Sequence, residues 1–332
     1  MEMYRHQFNP IDTVYIGGGT PSLLSPEQLE KILMSIRENF DLISNTEITI
    51  EVNPADLNQS FLESMCEIGI NRINIGVQSF GEKVLGFLGR RHSVKQAISA
   101  IEASRETGFY NIGLDLIYGV PGQGIESWLD TLTKALVFSP EHLSCYQLTL
   151  EPKTPLGIRC QAGEFSLPGE ESQYEFFMKT SEFLRDAGYI HYEVSNFARG
   201  QEYASRHNQK YWNHSPFLGL GPSAHSFQSN QRWWNHCSLD QYLSSINAGN
   251  LPVQETETLT MEQLRLEALC LGFRTKRGVS LQGFKNQYAY DLFTEKKELL
   301  AKLEEEGFIS IRDGFLYPTQ TGLALADSLS LI

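Results

Sequence analysis

Val14-Tyr15-Ile16-Gly17-Gly18-Gly19-Thr20-Pro21-Ser22-Leu23-Leu24 is the stretch on which the fold turns. A short β-branched and aromatic run stops at three glycines. Ser25-Pro26-Glu27-Gln28 then supplies a helix start, with Ser at the N-cap, Pro at the first helical position and Gln three residues after the cap. Leu29, Ile32, Leu33, Ile36 and Phe40 follow at helical spacing, so one face of that helix is apolar. Strand, glycine turn and helix make one βα unit. The triple glycine has two readings: a turn that needs small residues, or close approach of backbone N–H groups to an anionic or carboxylate group. A G-x-G-x-x-G spacing is absent and no G-K-[ST] follows, which excludes the dinucleotide and P-loop fingerprints.

The pattern repeats downstream. Residues 47–52 read as a strand ending at Asn53-Pro54, and 59–68 as a helix closed by Gly69. Residues 72–77 are the next strand, and 94–107 a helix capped by Ser93 and closed by Gly108. A strand over 110–118, a helix over 128–138 and a strand over 142–150 continue the alternation, which means parallel βα units in an α/β protein. This spacing fits a TIM-like barrel or a doubly wound sheet equally. Residues 152–169 read as a loop, 172–188 as a helix and 189–194 as another strand, while 199–250 show weak periodicity. From about Glu255 the character changes. Helical patterns over 262–273 and 293–306 precede a hairpin, 308–311 and 315–317, joined by Asp313-Gly314, a type I′ turn signal. Helices plus a hairpin predict a smaller, winged-helix-like C-terminal domain. The expected divisions are 1–200, a connecting segment 201–254, and 255–332.

The 332 residues are 41% hydrophobic and carry a formal net charge of −13. Nucleic-acid binding needs clustered Lys and Arg to replace phosphate counterions, so this acidity argues against it, and against an anionic membrane surface. Residues 283–332 hold five Lys/Arg against eight Asp/Glu, so the winged-helix-like segment is expected to pack or cover rather than bind DNA. No run approaches the roughly 20 apolar residues that span a bilayer. The start, Met-Glu-Met-Tyr-Arg-His, lacks a signal peptide's apolar core, and a cytoplasmic location is expected. Cys66, Cys145, Cys160, Cys237 and Cys270 are scattered, with neither a disulfide framework nor a local metal cluster.

Polar residues recur at successive strand ends: Glu51 and Asn53, Gln78 and Ser79, Asp115, then Gln147 and Thr149. Taken singly, each serves as a cap or turn residue. Taken together, they are the pattern of a barrel whose strand tips converge on one site.

The blocks 14–24, Glu51-Val52-Asn53-Pro54, Asn74-Ile75-Gly76-Val77-Gln78-Ser79-Phe80, Leu88-Gly89-Arg90-Arg91-His92-Ser93 and Asp115-Leu116-Ile117-Tyr118-Gly119-Val120-Pro121-Gly122-Gln123 carry a resemblance. In order and approximate spacing they resemble the radical-SAM HemN/HemW family, whose coproporphyrinogen-oxidase-like members it covers over nearly the whole chain. The resemblance implies a partial, open (β/α)6 TIM-like barrel holding S-adenosylmethionine beside a [4Fe–4S] cluster. By matched position, Gly18, Gly19 and Thr20 should line the methionine end of the cofactor. Glu51 should meet its ribose or amino group, with Gln78, Arg90 and Asp115 as further polar contacts.

The family's C-x-x-x-C-x-x-C cluster segment does not occur in this sequence. The family pattern places strand one and that segment upstream of Met1, and a longer natural product is the expectation. No metal ligands, and no catalytic residues, are assigned within the chain. His207-Asn208-Gln209-Lys210-Tyr211-Trp212 matches the H-N-x-x-Y-W motif of the HemW branch. That branch implies a haem chaperone serving an acceptor protein; the alternative is an oxygen-independent coproporphyrinogen III oxidase. His207, Asn208, Tyr211 and Trp212 are then candidate haem contacts. Read from the residues alone, His207 and Asn208 equally well cap a loop above core aromatics. His225 is a second candidate ligand, and His214 and His236 are expected at the surface.

Overall fold

The structure is a computed structural model that describes residues 1–5, 7–8 and 10–329. His6 of the polar start and residues 330–332 of the C-terminal segment lie outside the described residues. The elements run β1 (Ile11–Ile16), α1 (Pro26–Asn39), β2 (Leu42–Val52), α2 (Gln59–Glu67), β3 (Arg72–Gln78), α3 (Glu82–Phe87), α4 (Val94–Glu106), β4 (Ile112–Tyr118), α5 (Ile125–Val137) and β5 (His142–Gln147). Then come α6 (Pro155–Gln161), α7 (Glu170–Asp186), β6 (Ile190–His191) and β7 (Asn196–Ala198). One compact unit comprises Thr13–Lys31 and Glu47–Ala204; the other comprises Met1–Asp12, Ile32–Thr46 and Ser205–Ile332.

A seven-stranded sheet, in the order β1-β2-β3-β4-β5-β7-β6, curls into a half-barrel. β2 through β5 are parallel neighbours, and β7 pairs antiparallel with both β5 and β6. The two-residue period of the strands divides the sheet's faces. On β3, Ile73, Ile75 and Val77 are fully buried, while the alternating Asn74, Gly76 and Gln78 face a cavity. The helices bury their matching stripes. Trp128 and Leu132 of α5 and Leu184 of α7 have no exposure, and each such side chain contributes roughly 2 kcal/mol. The Trp128 indole N–H donates to the Thr180 hydroxyl at 2.7 Å, so the buried ring keeps a partner for its polar group.

The expected strand over 189–194 is instead two short strands. The Asn196 N–H donates to the Glu193 carbonyl at 3.3 Å, turning the chain, and the His191 ring stacks on Phe197 at 4.1 Å. The strand expected over 47–52 begins earlier, at Leu42, and part of the loop expected over 152–169 is helix α6, capped by the Thr154 hydroxyl.

The second unit continues with α8 (Arg206–Trp212), β8 (His225–Gln228), β9 (Gln231–Asn235), α9 (Leu239–Asn247), β10 (Val253–Thr258), α10 (Met261–Phe273), β11 (Val279–Ser280), α11 (Leu281–Tyr288), α12 (Leu292–Glu295), α13 (Lys297–Glu305), β12 (Ile309–Arg312), β13 (Phe315–Pro318), α14 (Gln320–Ala324) and α15 (Ala326–Leu329). β8, β9 and β10 form an antiparallel sheet, and β11-β13-β12 a second. Phe273, Leu292, Leu300 and Leu316 centre the core around α10 and α13. Asp313 and Gly314 both have positive φ, 51° and 76°, as a type I′ turn between β12 and β13 requires.

Among the described residues, no helix is long and apolar enough to cross a membrane.

Candidate functional site

A cavity of about 240 Å³ opens where the strand tips meet. Gly19, Thr20 and Pro21 come from the turn after β1. Glu51, Val52 and Asn53 end β2. Asn74, Gly76 and Gln78 come from β3, Arg90 follows α3, Asp115 is on β4 and Tyr146 on β5. Six of the seven residues expected at the cofactor therefore line one space. Gly18, the seventh, reaches it through its neighbour, since its N–H donates to Glu51 Oε2 at 3.3 Å.

The glycine turn has its shape for a local reason. Gly18 and Gly19 have φ of 80° and 66°, where a side chain is strained, and a Cβ on either would meet open space. Side-chain bulk is therefore not what the fold excludes there; the left-handed backbone is. The turn is then pinned: the Ser22 hydroxyl donates to Asp56 Oδ2 at 2.9 Å and accepts from the Asn53 N–H at 3.1 Å. Arg91 forks onto both Asp56 oxygens, at 3.1 and 2.9 Å.

Gln78 is the one site residue other than glycine with positive φ, at 63°, and the β3–β4 register slips just before it. Such backbone strain concentrates at functional positions. Gly76 makes room for the result. A Cβ there would lie 3.0 Å from the Gln78 amide nitrogen and 3.5 Å from an Arg90 guanidinium nitrogen.

The charges in the cavity are short of partners. Arg90 Nε, Asp115 Oδ1 and Asn74 Oδ1 are buried and make no hydrogen bond within the chain. Burial lowers the Arg90 pKa, with Asp115 opposing that effect. Burial pushes the Asp115 carboxyl up to about 6, a bond from Ser144 working the other way. A pocket that holds a guanidinium, a carboxylate and an amide oxygen unsatisfied is built for a ligand with complementary donors and acceptors.

Residues 1–135 match the Radical SAM superfamily and residues 259–325 the HemN C-terminal domain. The chain is 35% identical over 321 residues to the heme chaperone HemW of Bacillus subtilis, covering 96% of this chain and 84% of that protein. The chain belongs to the HemN/HemW family of radical-SAM proteins. The heme chaperone HemW of Synechocystis is 36% identical over 96% of the chain and 78% of its own length. In three dimensions, the radical-SAM enzyme coproporphyrinogen III oxidase (HemN) of Escherichia coli superposes with a TM-score of 0.81 at 24% identity, over 96% of this chain and 77% of that one. That likeness establishes the HemN/HemW barrel fold.

The family implies adenosylmethionine and a [4Fe–4S] cluster. The cavity's unsatisfied guanidinium, carboxylate and amide suit the first, a zwitterion bearing a ribose diol. The second does not fit the residues present. Among the described residues no three His, Cys, Asp or Glu side chains converge as metal ligands. Cys145 is buried in β5, Cys66, Cys160 and Cys270 sit on three different helices, Cys237 lies in the loop between β9 and α9, and all are free thiols.

The 207–212 motif folds as helix, not as a loop cap. Ser205 caps α8 by accepting from the Asn208 N–H at 3.2 Å. His207 Nε2 lies 3.0 Å from the Tyr211 hydroxyl one turn on, with the rings edge to face. Burial brings His207 down to about 4, so the imidazole is neutral at pH 7. Tyr211 packs on Phe217, and the Arg274 guanidinium lies 5.4 Å over the Trp212 ring. His225 is exposed and stacked on Trp234. His214 is not a surface residue. Its side chain is 9% exposed, stacked on Phe227, with Nδ1 3.1 Å from the Tyr288 hydroxyl and Nε2 3.4 Å from Glu267.

Sequence reading missed Asn74, Gly76 and Tyr146. The signal for the first two was available: they precede Gln78 at two-residue steps, and an interior strand glycine marks close approach.

Proposed function

We propose that this protein is a haem chaperone of the HemW type, which binds haem and passes it to an acceptor protein. Its barrel holds adenosylmethionine in the strand-tip cavity. What carries the reading is likeness to proteins named heme chaperone HemW, continuous over 96% of the chain. The 207–212 motif supports it: α8 sets a neutral imidazole, a phenol and an indole within two helical turns, a set that can ligate iron and flank a flat macrocycle. Asn208 is assigned to the same contact surface. The acidic surface makes nucleic acid a poor partner, and five free cysteines suit the reducing cytoplasm.

In the cavity, Glu51 accepts from ribose hydroxyls or the ammonium. Arg90 can fork onto the carboxylate. Gly18 and Gly19 leave the backbone of their turn open to close approach by the methionine end, with Thr20 beside it. Gln78 and Asp115 complete the polar wall. In radical-SAM proteins the cofactor, cleaved at a reduced cluster, supplies a 5′-deoxyadenosyl radical. No such step runs through the described residues of this chain.

Haem titration followed at the Soret band tests the reading against a porphyrinogen oxidase. Saturable 1:1 binding is expected, weakened at least tenfold by His207→Ala, with no product from coproporphyrinogen III. Turnover of coproporphyrinogen III, or haem uptake that never saturates, would overturn it.

A further inference from the structure

A chain of hydrogen bonds runs along the cavity wall: its ends, Glu51 and Asn74, line the ligand space, and Tyr15 joins them. The Tyr15 hydroxyl donates to Glu51 Oε1 at 2.7 Å, and the Asn74 side-chain amide donates to the Tyr15 oxygen at 3.3 Å. Tyr15 precedes the glycine turn, and its ring lies so close to Gly17 that a Cβ there would overlap it, at 2.6 Å. Gly113 on β4 plays the same part for Asn74, since a Cβ would collide with the amide oxygen. Two glycines, one just after β1 and one on β4, thus leave room for one relay.

A tyrosine hydroxyl has a single proton to give. Because Asn74 donates to its oxygen, that proton is directed to Glu51. The other Glu51 oxygen takes the Gly18 N–H. The carboxylate is held at both oxygens in one plane, with its remaining lone pairs available to the cavity. Burial raises the Tyr15 pKa, so the hydroxyl stays a donor throughout the working pH range.

We infer that Tyr15, oriented by Asn74, is a positioning residue that fixes the Glu51 carboxylate for the ribose diol of an adenosyl ligand. The inference rests on the reading of the cavity as an adenosylmethionine site. Tyr15 touches no ligand itself. It removes the freedom a half-buried carboxylate would otherwise lose on binding.

A double-mutant cycle with S-adenosylhomocysteine as the probe, followed by calorimetry on the full chain, separates this from a structural role. Tyr15→Phe keeps the ring and is expected to weaken binding about tenfold, as loss of a charge-assisted hydrogen bond does. In a Glu51→Gln background the same change should cost less than twofold. Asn74→Ala also removes a cavity-lining amide, so it should weaken binding in both backgrounds, but more in the parent chain than in Tyr15→Phe. Equal losses in both backgrounds overturn the positioning role while the cavity assignment stands. Failure of the parent chain to bind the probe at all overturns the cavity assignment and the inference with it.

Discussion

Asp115 is a carboxylate buried at a strand tip with one oxygen unpartnered, and its pKa, raised to about 6 by burial, has two consequences. A carboxyl whose folded value lies above its unfolded one holds its proton more tightly when folded. Its contribution to stability is therefore fully present at low pH and is lost as pH rises from about 4 through 6, by something on the order of 3 kcal/mol. The ligand-free protein should grow less stable across that window, and Asp115→Asn should remove the loss, as urea unfolding at pH 4.5 and 7 would show. Binding has the opposite slope. A ribose hydroxyl or an ammonium needs the ionised acceptor, so adenosylmethionine affinity should rise about tenfold per pH unit up to about pH 6 and then level. Calorimetry from pH 5 to 8 checks this, and an unchanged slope in Asp115→Asn would remove Asp115 from the site. Gly76 gives a steric test at the same scale. Gly76→Ala asks the Gln78 amide to shift by a few tenths of an ångström from a strained backbone, so affinity should fall several-fold with little change in melting temperature.

Helix and turn chemistry are legible in the sequence, because their signals are local. Ser93 and Gln96 form both bonds of a capping box at the start of α4, and Asp313-Gly314 makes the β12–β13 turn that its residue types demand. Ser93→Ala should cost about 1 kcal/mol in urea unfolding. Gly314→Ala, at φ 76°, should cost about 1–2 kcal/mol, read in the same experiment. The strand tips were legible for a different reason: polar residues ending apolar strands conflict with burial unless they face a shared space. What stayed hidden depended on contacts distant in sequence. Residues 199–250 show weak periodicity, yet they hold α8, β8, β9 and α9. α9 carries a short apolar stripe, Leu239, Tyr242, Leu243 and Ile246, but it spans only nine residues and none of them is buried. His214 looked like a surface residue because its partners Phe227, Glu267 and Tyr288 lie 13 to 74 positions away. The relay from Asn74 through Tyr15 to Glu51 joins three strands, and no spacing rule connects them.

At the scale of the whole molecule, the two candidate binding regions belong to different compact units. The strand-tip cavity lies within Thr13–Lys31 and Glu47–Ala204, while α8 belongs to the unit containing Ser205–Ile332. Each has its own hydrogen-bond support. The cavity rests on Ser22, Asp56 and Arg91, and α8 on its Ser205 cap and on the ion pair of Lys210 with Asp12 at 2.6 Å. Neither set shares a residue with the other, and substitutions without shared partners usually act additively. Arg90→Ala should therefore weaken S-adenosylhomocysteine binding at least tenfold, because Asp115 then faces the cavity without a counter-charge, and should leave the haem titration unchanged. His207→Ala should do the reverse. Haem and S-adenosylhomocysteine titrations on the parent chain and both variants make the comparison. If either substitution shifts both affinities, the two ligands are coupled, and the coupling free energy from the cycle gives its size. Reciprocity then requires that saturating one ligand change the other's affinity by the same factor, which a titration of haem with the adenosyl ligand present would measure directly.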